Sequence, residues 1–120
     1  MLFVYLVKAD TSLGNHKIFS QKELAYNYAL GLQIEKFNKL IEISVLQKNP
    51  IKDIYLHVFK NIILLENNIN FENKFLCLGI LYKLVYNDIL KNTFHIHSNN
   101  KLNERDYCHE ITVEETTLNL

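Results

Sequence analysis

From Phe71 to Leu90 the chain places apolar residues on nearly every side of a helix, and this restricts its fold more than any other feature. Phe75, Leu78, Leu81, Tyr82, Val85 and Ile89 recur at spacings of three and four residues, interrupted by Gly79. A helix without a continuous polar face must be covered, either by the rest of the chain or by another molecule. We read it as the third and central helix. Ahead of it, Ile54, Tyr55, Val58, Phe59, Ile62 and Leu65 share one broad face with Lys52, Asp53, Lys60 and Asn61 opposite, which predicts a second helix from Ile51 to Leu65 that breaks at Asn67-Asn68.

The first helix announces its own start. Ser20-Gln21-Lys22-Glu23 has the S-x-x-E spacing in which the hydroxyl and the carboxylate each satisfy an orphan amide. Leu24, Ala25, Tyr28 and Leu32 then mark an apolar stripe to about Ile34. From Phe37 to Gln47 the period changes. Leu40, Glu42, Ser44 and Leu46 alternate with Ile41, Ile43 and Val45, as in a half-buried strand, and Pro50 ends that element.

The flanks read as strands. Leu2 to Ala9 is β-branched and aromatic, and a turn at Gly14-Asn15 leads to a short second strand. Near the other end, Phe94-His95-Ile96-His97 alternates, Ser98 to Asp106 is polar, and Tyr107 to Leu118 alternates through Ile111 and Val113, which predicts a hairpin with a long loop. The resulting order is β-β-α-β-α-α-β-β: an α+β fold whose small, mostly antiparallel sheet is covered on one face by about three helices. At 120 residues and 14.2 kDa the chain fits a single domain spanning 1–120.

Charge narrows the partners. Thirteen basic residues balance thirteen acidic ones, and Arg105 is the one arginine, so neither a field that attracts phosphate backbones nor a set of bidentate guanidinium groups is present. Nucleic acid is not an expected partner. No apolar stretch reaches the roughly 20 residues that cross a bilayer, and the run Leu2 to Val7 lacks a basic lead and a small-residue cleavage site. Cys77 and Cys108 lie in unlike contexts, one in an apolar run and one beside His109, which argues against a disulfide framework. The expectation is a cytoplasmic protein without a membrane partner.

Phe3-Val4-Tyr5-Leu6-Val7, then Phe19-Ser20-Gln21-Lys22-Glu23-Leu24-Ala25, then Ile41-Glu42-Ile43, resembles small uncharacterised phage-encoded α/β proteins built as strand, F-S-x-x-E-x-A junction, helix and strand. The resemblance covers residues 1–48. It implies that part of the fold and a phage or mobile-element source, which would place the protein in the host cytoplasm, and it carries over no functional residue.

Two sets of side chains could support function. His95 and His97 would share a strand face, and a hairpin would bring Cys108 or His109 opposite, giving imidazole and thiolate ligands of the kinds that zinc takes in tetrahedral sites. Their spacing matches no standard zinc module, and solvated histidines on the outer face of a hairpin beside a packing cysteine are the more ordinary reading. His16 and His57 have no partner at a useful spacing. Glu104, Asp106, Glu114 and Glu115 with Asp53 or Asp88 offer carboxylates for a divalent metal, though no spacing fixes them. With Gly14, Gly31 and Gly79 as the three glycines, phosphate-cradling glycine motifs are excluded.

The second set is aromatic. Tyr26 is out of phase with the first helical stripe, and Tyr82 and Tyr86 sit on the helix that lacks a polar face. These three are the expected partner-binding residues. One small sheet is too little to cover both later helices, so an exposed apolar patch used for a homodimer or another protein is expected. The resulting expectation is a non-enzymatic protein-binding module without a cofactor, an inhibitor of a host (defence) protein in the manner of a counter-defence factor. The alternatives are a small metal-dependent enzyme using the His/Cys cluster with zinc, and an immunity or antitoxin protein bound to its cognate toxin.

Overall fold

In the computed structural model, residues 2–9, 16–46, 48–64, 70–96 and 110–118 are described, with side chains in the last helix as far as Asp88. The elements are β1 (Leu2–Ala9), β2 (His16–Phe19), α1 (Lys22–Leu46), α2 (Asp53–Leu64), α3 (Phe71–Ile96) and β3 (Ile111–Leu118). The class is α+β, with three helices and a three-stranded antiparallel sheet of order β2-β1-β3. No helix among the described residues is long and apolar enough to cross a membrane.

Register explains which sheet face is buried. Directly paired residues share a face, and Tyr5↔Phe19, Val7↔Val113 and Ala9↔Ile111 are such pairs. Val7 belongs to the buried cluster, with Tyr5, Phe19, Ile111 and Val113 packed against it, so this is the helix side. The opposite side carries Leu6↔Ile18 and Leu2↔Leu118, together with the Lys8 Nζ to Glu114 Oε2 ion pair at 3.0 Å. α1 lies across all three strands, and α3 packs along α1. Lys22 bonds Glu72 at 3.1 Å, Tyr26 meets Phe75, and Phe37 meets Tyr82, so α1 and α3 run parallel. α2 packs mainly on α3 and meets α1 through one ring pair: Lys52 Nζ approaches Asp88 Oδ2 at 3.3 Å, and Phe59 stacks on Phe37 at 4.1 Å.

Two sequence expectations are corrected. The segment from Phe37 to Leu46 is the second half of α1 and not a strand. Phe37, Leu40, Ile43 and Ser44 are buried, at spacings of three, three and one, which is a helical face and not one side of a strand. Alternation over ten residues satisfied both periods. The β-branched residues lower helix propensity by only tenths of a kcal/mol, and packing against α3 outweighs that. Ser44 fits because its hydroxyl donates to the Ile41 carbonyl at 2.7 Å.

Phe94-His95-Ile96 is likewise the end of α3, and β3 pairs with β1 and not with that segment. The expected turn at Gly14-Asn15, the break at Asn67-Asn68 and the loop from Ser98 to Asp106 lie outside the described residues.

The ends of the helices show how the chain turns. The Asn73 amide donates to the Asn70 side-chain oxygen at 2.9 Å, an N-cap for α3. α1 begins with the Ala25 amide bonded to the Gln21 carbonyl, one residue past Ser20. At its other end the Asn49 amide reaches the Ser44 carbonyl at 2.9 Å and the Lys48 amide reaches Val45 at 3.1 Å, with Lys48 at φ 57°. This is the Schellman arrangement, in which the left-handed position is usually glycine.

Lys48→Gly is therefore expected to raise the unfolding free energy by roughly 0.5–1 kcal/mol, with a Tm several degrees higher; a melting curve in which Lys48→Gly is less stable than wild type would contradict the strain. Phe37→Ala is expected to cost about 3–5 kcal/mol, the range for emptying an aromatic core site, read as a lower midpoint in urea.

Candidate functional site

A groove of ≈ 360 Å³ opens where α1, α3 and the start of β3 converge. Its geometry follows from the parallel helices: α3 and the sheet both pack on α1, on different sides, and the space between them is left unfilled. Gln33 and Lys36 come from α1, Glu110 and Ile111 from the start of β3, and the α3 wall includes Phe75, Gly79, Tyr82, Lys83 and Tyr86. Gly79 adds to its width, because a Cβ built there meets nothing within 4 Å. The absent side chain leaves room in the middle of the wall.

Aromatic and charged groups alternate around this space. Tyr82 is 3% exposed, with its ring edge-on to Phe37 and stacked on Tyr86 at 6.2 Å. It is a core residue that lends the groove part of its lining, while Tyr86 is half-buried and nearer to solvent. The Lys36 ammonium lies 4.3 Å from the centre of the Tyr82 ring, a cation held against an aromatic face. Lys83 Nζ and Glu110 Oε1 meet at 2.6 Å across the groove, joining α3 to the first residue before β3. The hydrogen bond from Lys83, and then its charge, hold the Glu110 carboxyl below the ordinary value of 4.5.

The tyrosines expected to act together are divided between two places. Tyr82 and Tyr86 line the groove, whereas Tyr26 lines a second depression of ≈ 390 Å³ beside the starts of α1 and α3, with Lys22, Asn70, Glu72 and Lys74. The Tyr26 ring meets Phe75 edge-on at 5.9 Å, so Phe75 separates it from the other two. Partial burial, and then the neighbouring Glu72 carboxylate, push the Tyr26 phenol above its ordinary value and keep it a neutral donor. The Lys22 ammonium is raised by its bond to that same carboxylate.

The His/Cys set is not assembled by the described structure. His95 lies in α3, so the strand alternation that would have put it on one face with His97 does not apply. His97, Cys108 and His109 lie outside the described residues, as do Glu104 and Asp106. Among the described residues, no group of three or more His, Cys, Asp or Glu side chains is placed to hold a metal ion. His16 and His57 are exposed on β2 and α2, and Cys77 is a free, exposed thiol on α3.

Sequence reasoning missed Lys36, Lys83 and Glu110. Lys83 and Glu110 come from elements far apart in the chain, and nothing local marks such a pair. Gly79 was visible as the break in an apolar helix, but not as an opening in a groove wall.

The depressed Glu110 value has a sign that can be followed. A carboxyl held low in the folded state adds stability above its unfolded value and loses it as pH falls through the folded one. Both partners are largely exposed, so this contribution is small and salt-sensitive. In a carboxyl NMR titration the Glu110 midpoint is expected below 4.5 and to rise toward it in Lys83→Met. An unchanged midpoint in that variant would break the assignment.

Comparison with protein-family models, with curated proteins and with solved structures finds no match to this chain, so its groove is read from its own chemistry.

Proposed function

We infer that this chain acts by binding another protein, and that the groove between α1, α3 and β3 is the contact surface. The supporting observation is the open wall at Gly79, flanked by Leu76, Ile80 and Tyr86 and edged by the Lys83–Glu110 pair. Apolar and aromatic area at the centre with charged groups at the rim is the composition of a protein interface. Small-molecule sites enclose most of their ligand, whereas this groove is open to solvent on one side. A projecting side chain or a short segment of a partner fits that shape better than a small substrate does.

The likeness of residues 1–48 to small phage-encoded proteins guides the choice of partner toward a host (defence) protein, with inhibition by occlusion as the mode of action. Zinc chemistry is the competing reading, and its His97, Cys108 and His109 stand outside the described residues.

Gly79→Leu separates the two. Its Cβ has free space, leucine favours a helix by up to about 1 kcal/mol over glycine, and the rest of the side chain fills the groove. In affinity capture from host lysate the wild-type protein is expected to retain one stoichiometric partner at high salt, and Gly79→Leu to lose it with an unchanged or higher Tm. Equal capture by both proteins would exclude the groove. Bound zinc with no captured protein would favour the metal reading.

A further inference from the structure

The outward side of α3 carries an apolar row that starts at the groove's edge and runs beyond it. Leu76, Ile80 and Leu84 are 52%, 64% and 55% exposed, and they form one row at four-residue spacing. Three such side chains leave on the order of 300 Å² of apolar area in water, the scale at which a patch on a small protein marks a contact site. The residues flanking the row on the same side are Asn73 and Asn87, both exposed.

The row reads the same in both directions. Asn73, Leu76, Ile80, Leu84 and Asn87 stand at −7, −4, 0, +4 and +7 about Ile80, so each residue type recurs at the mirrored position. In a two-fold contact residue i of one copy meets residue j of the other and j meets i, so a surface must be complementary to its own reverse. An antiparallel pair of α3 helices with the axis at Ile80 meets that condition. It sets Leu76 against Leu84, Ile80 against itself, and the amide of Asn73 beside that of Asn87. The four spacings average 3.5 residues, as along a seam between nearly aligned helices, which cross at about 20°.

Charge permits the approach. At −8 and +8 stand Glu72 and Asp88, which this symmetry would bring near each other, and each already faces a lysine of its own chain: Lys22 at 3.1 Å and Lys52 at 3.3 Å. The like charges are therefore met within each copy.

We propose that the protein forms an antiparallel homodimer through the Asn73–Asn87 face of α3. A seam of some four helical turns buries less than the roughly 800 Å² per partner of a standard interface, so the dimer belongs to the weak, concentration-dependent class, with a dissociation constant in the micromolar range. It goes beyond the groove reading; Leu76, Ile80 and Asn87 also line the groove, and the two proposals can fail separately because Leu84 does not.

Sedimentation equilibrium over about 1–300 µM, a span chosen around a micromolar dissociation constant, provides the test. Wild type is expected to pass from 14.2 kDa to twice that mass, and Leu84→Glu to shift the midpoint upward at least a hundredfold with an unchanged helical circular dichroism signal. In a Cys108→Ser background the two Cys77 thiols would lie about 9 Å apart along the helix axis, three residues to either side of the two-fold. A bismaleimide of matching length is expected to join them in wild-type dimers and not in Leu84→Glu. A wild-type protein that stays at 14.2 kDa throughout, or a Leu84→Glu variant that dimerises as wild type does, overturns the proposal.

Discussion

The helical layer is held together at the ring of Phe37. From the middle of α1 it stacks face to face on Phe59 of α2 and receives the edge of Tyr82 from α3, so one fully buried side chain touches a partner on each of the other two helices. Stacked and edge-to-face pairs are worth about 0.5–1.5 kcal/mol beyond the area they bury, and three elements share that gain here. The levels of the helices follow from it. With Phe37 level with Tyr82 and Lys22 level with Glu72, α1 and α3 run in the same direction, and Gly79 falls at the groove with Gln33 and Lys36.

The sequence is legible where burial has one interpretation. α2 and α3 were readable because three- and four-residue spacing ran through segments too long and too apolar to be strands. β1 was readable from its β-branched and aromatic residues, and Ile111 and Val113 correctly marked the inward face of β3. The failures fall where two periods coincide. Ile41, Ile43 and Val45 alternate as a strand would, yet Phe37, Leu40 and Ser44 complete a helical face that becomes visible only when α3 is beside it. His95 and His97 formed a metal-like pair only under strand geometry, and the helix carries His95 out of that relation.

The candidate site was legible by residue type more than by position. Surplus apolar surface on the later helices was foreseeable, since no small sheet could cover them, and Leu76, Ile80 and Leu84 are that surplus. Grouping Tyr26 with Tyr82 and Tyr86 required knowing that Phe75 stands between them. Lys83 and Glu110 have no sequence signature, because an ion pair between distant elements follows from packing and not from spacing. Asn70 did leave one: an asparagine ahead of Phe71 and Glu72 is a helix start with an acidic first turn.

Among the described elements the central strand of the sheet comes first and its longer partner last, with Leu2 opposite Leu118 and Ala9 opposite Ile111. Pairings of such separation incur nearly the whole chain's loop-closure entropy before they return any stabilisation, which is the condition for slow folding. β3 follows α1, α2 and α3 in the chain, so during synthesis β1 keeps one edge unpaired until it arrives. The pairing that closes the sheet is also the one that carries Glu110 to Lys83, so the groove is complete only when the two ends of this long loop have met.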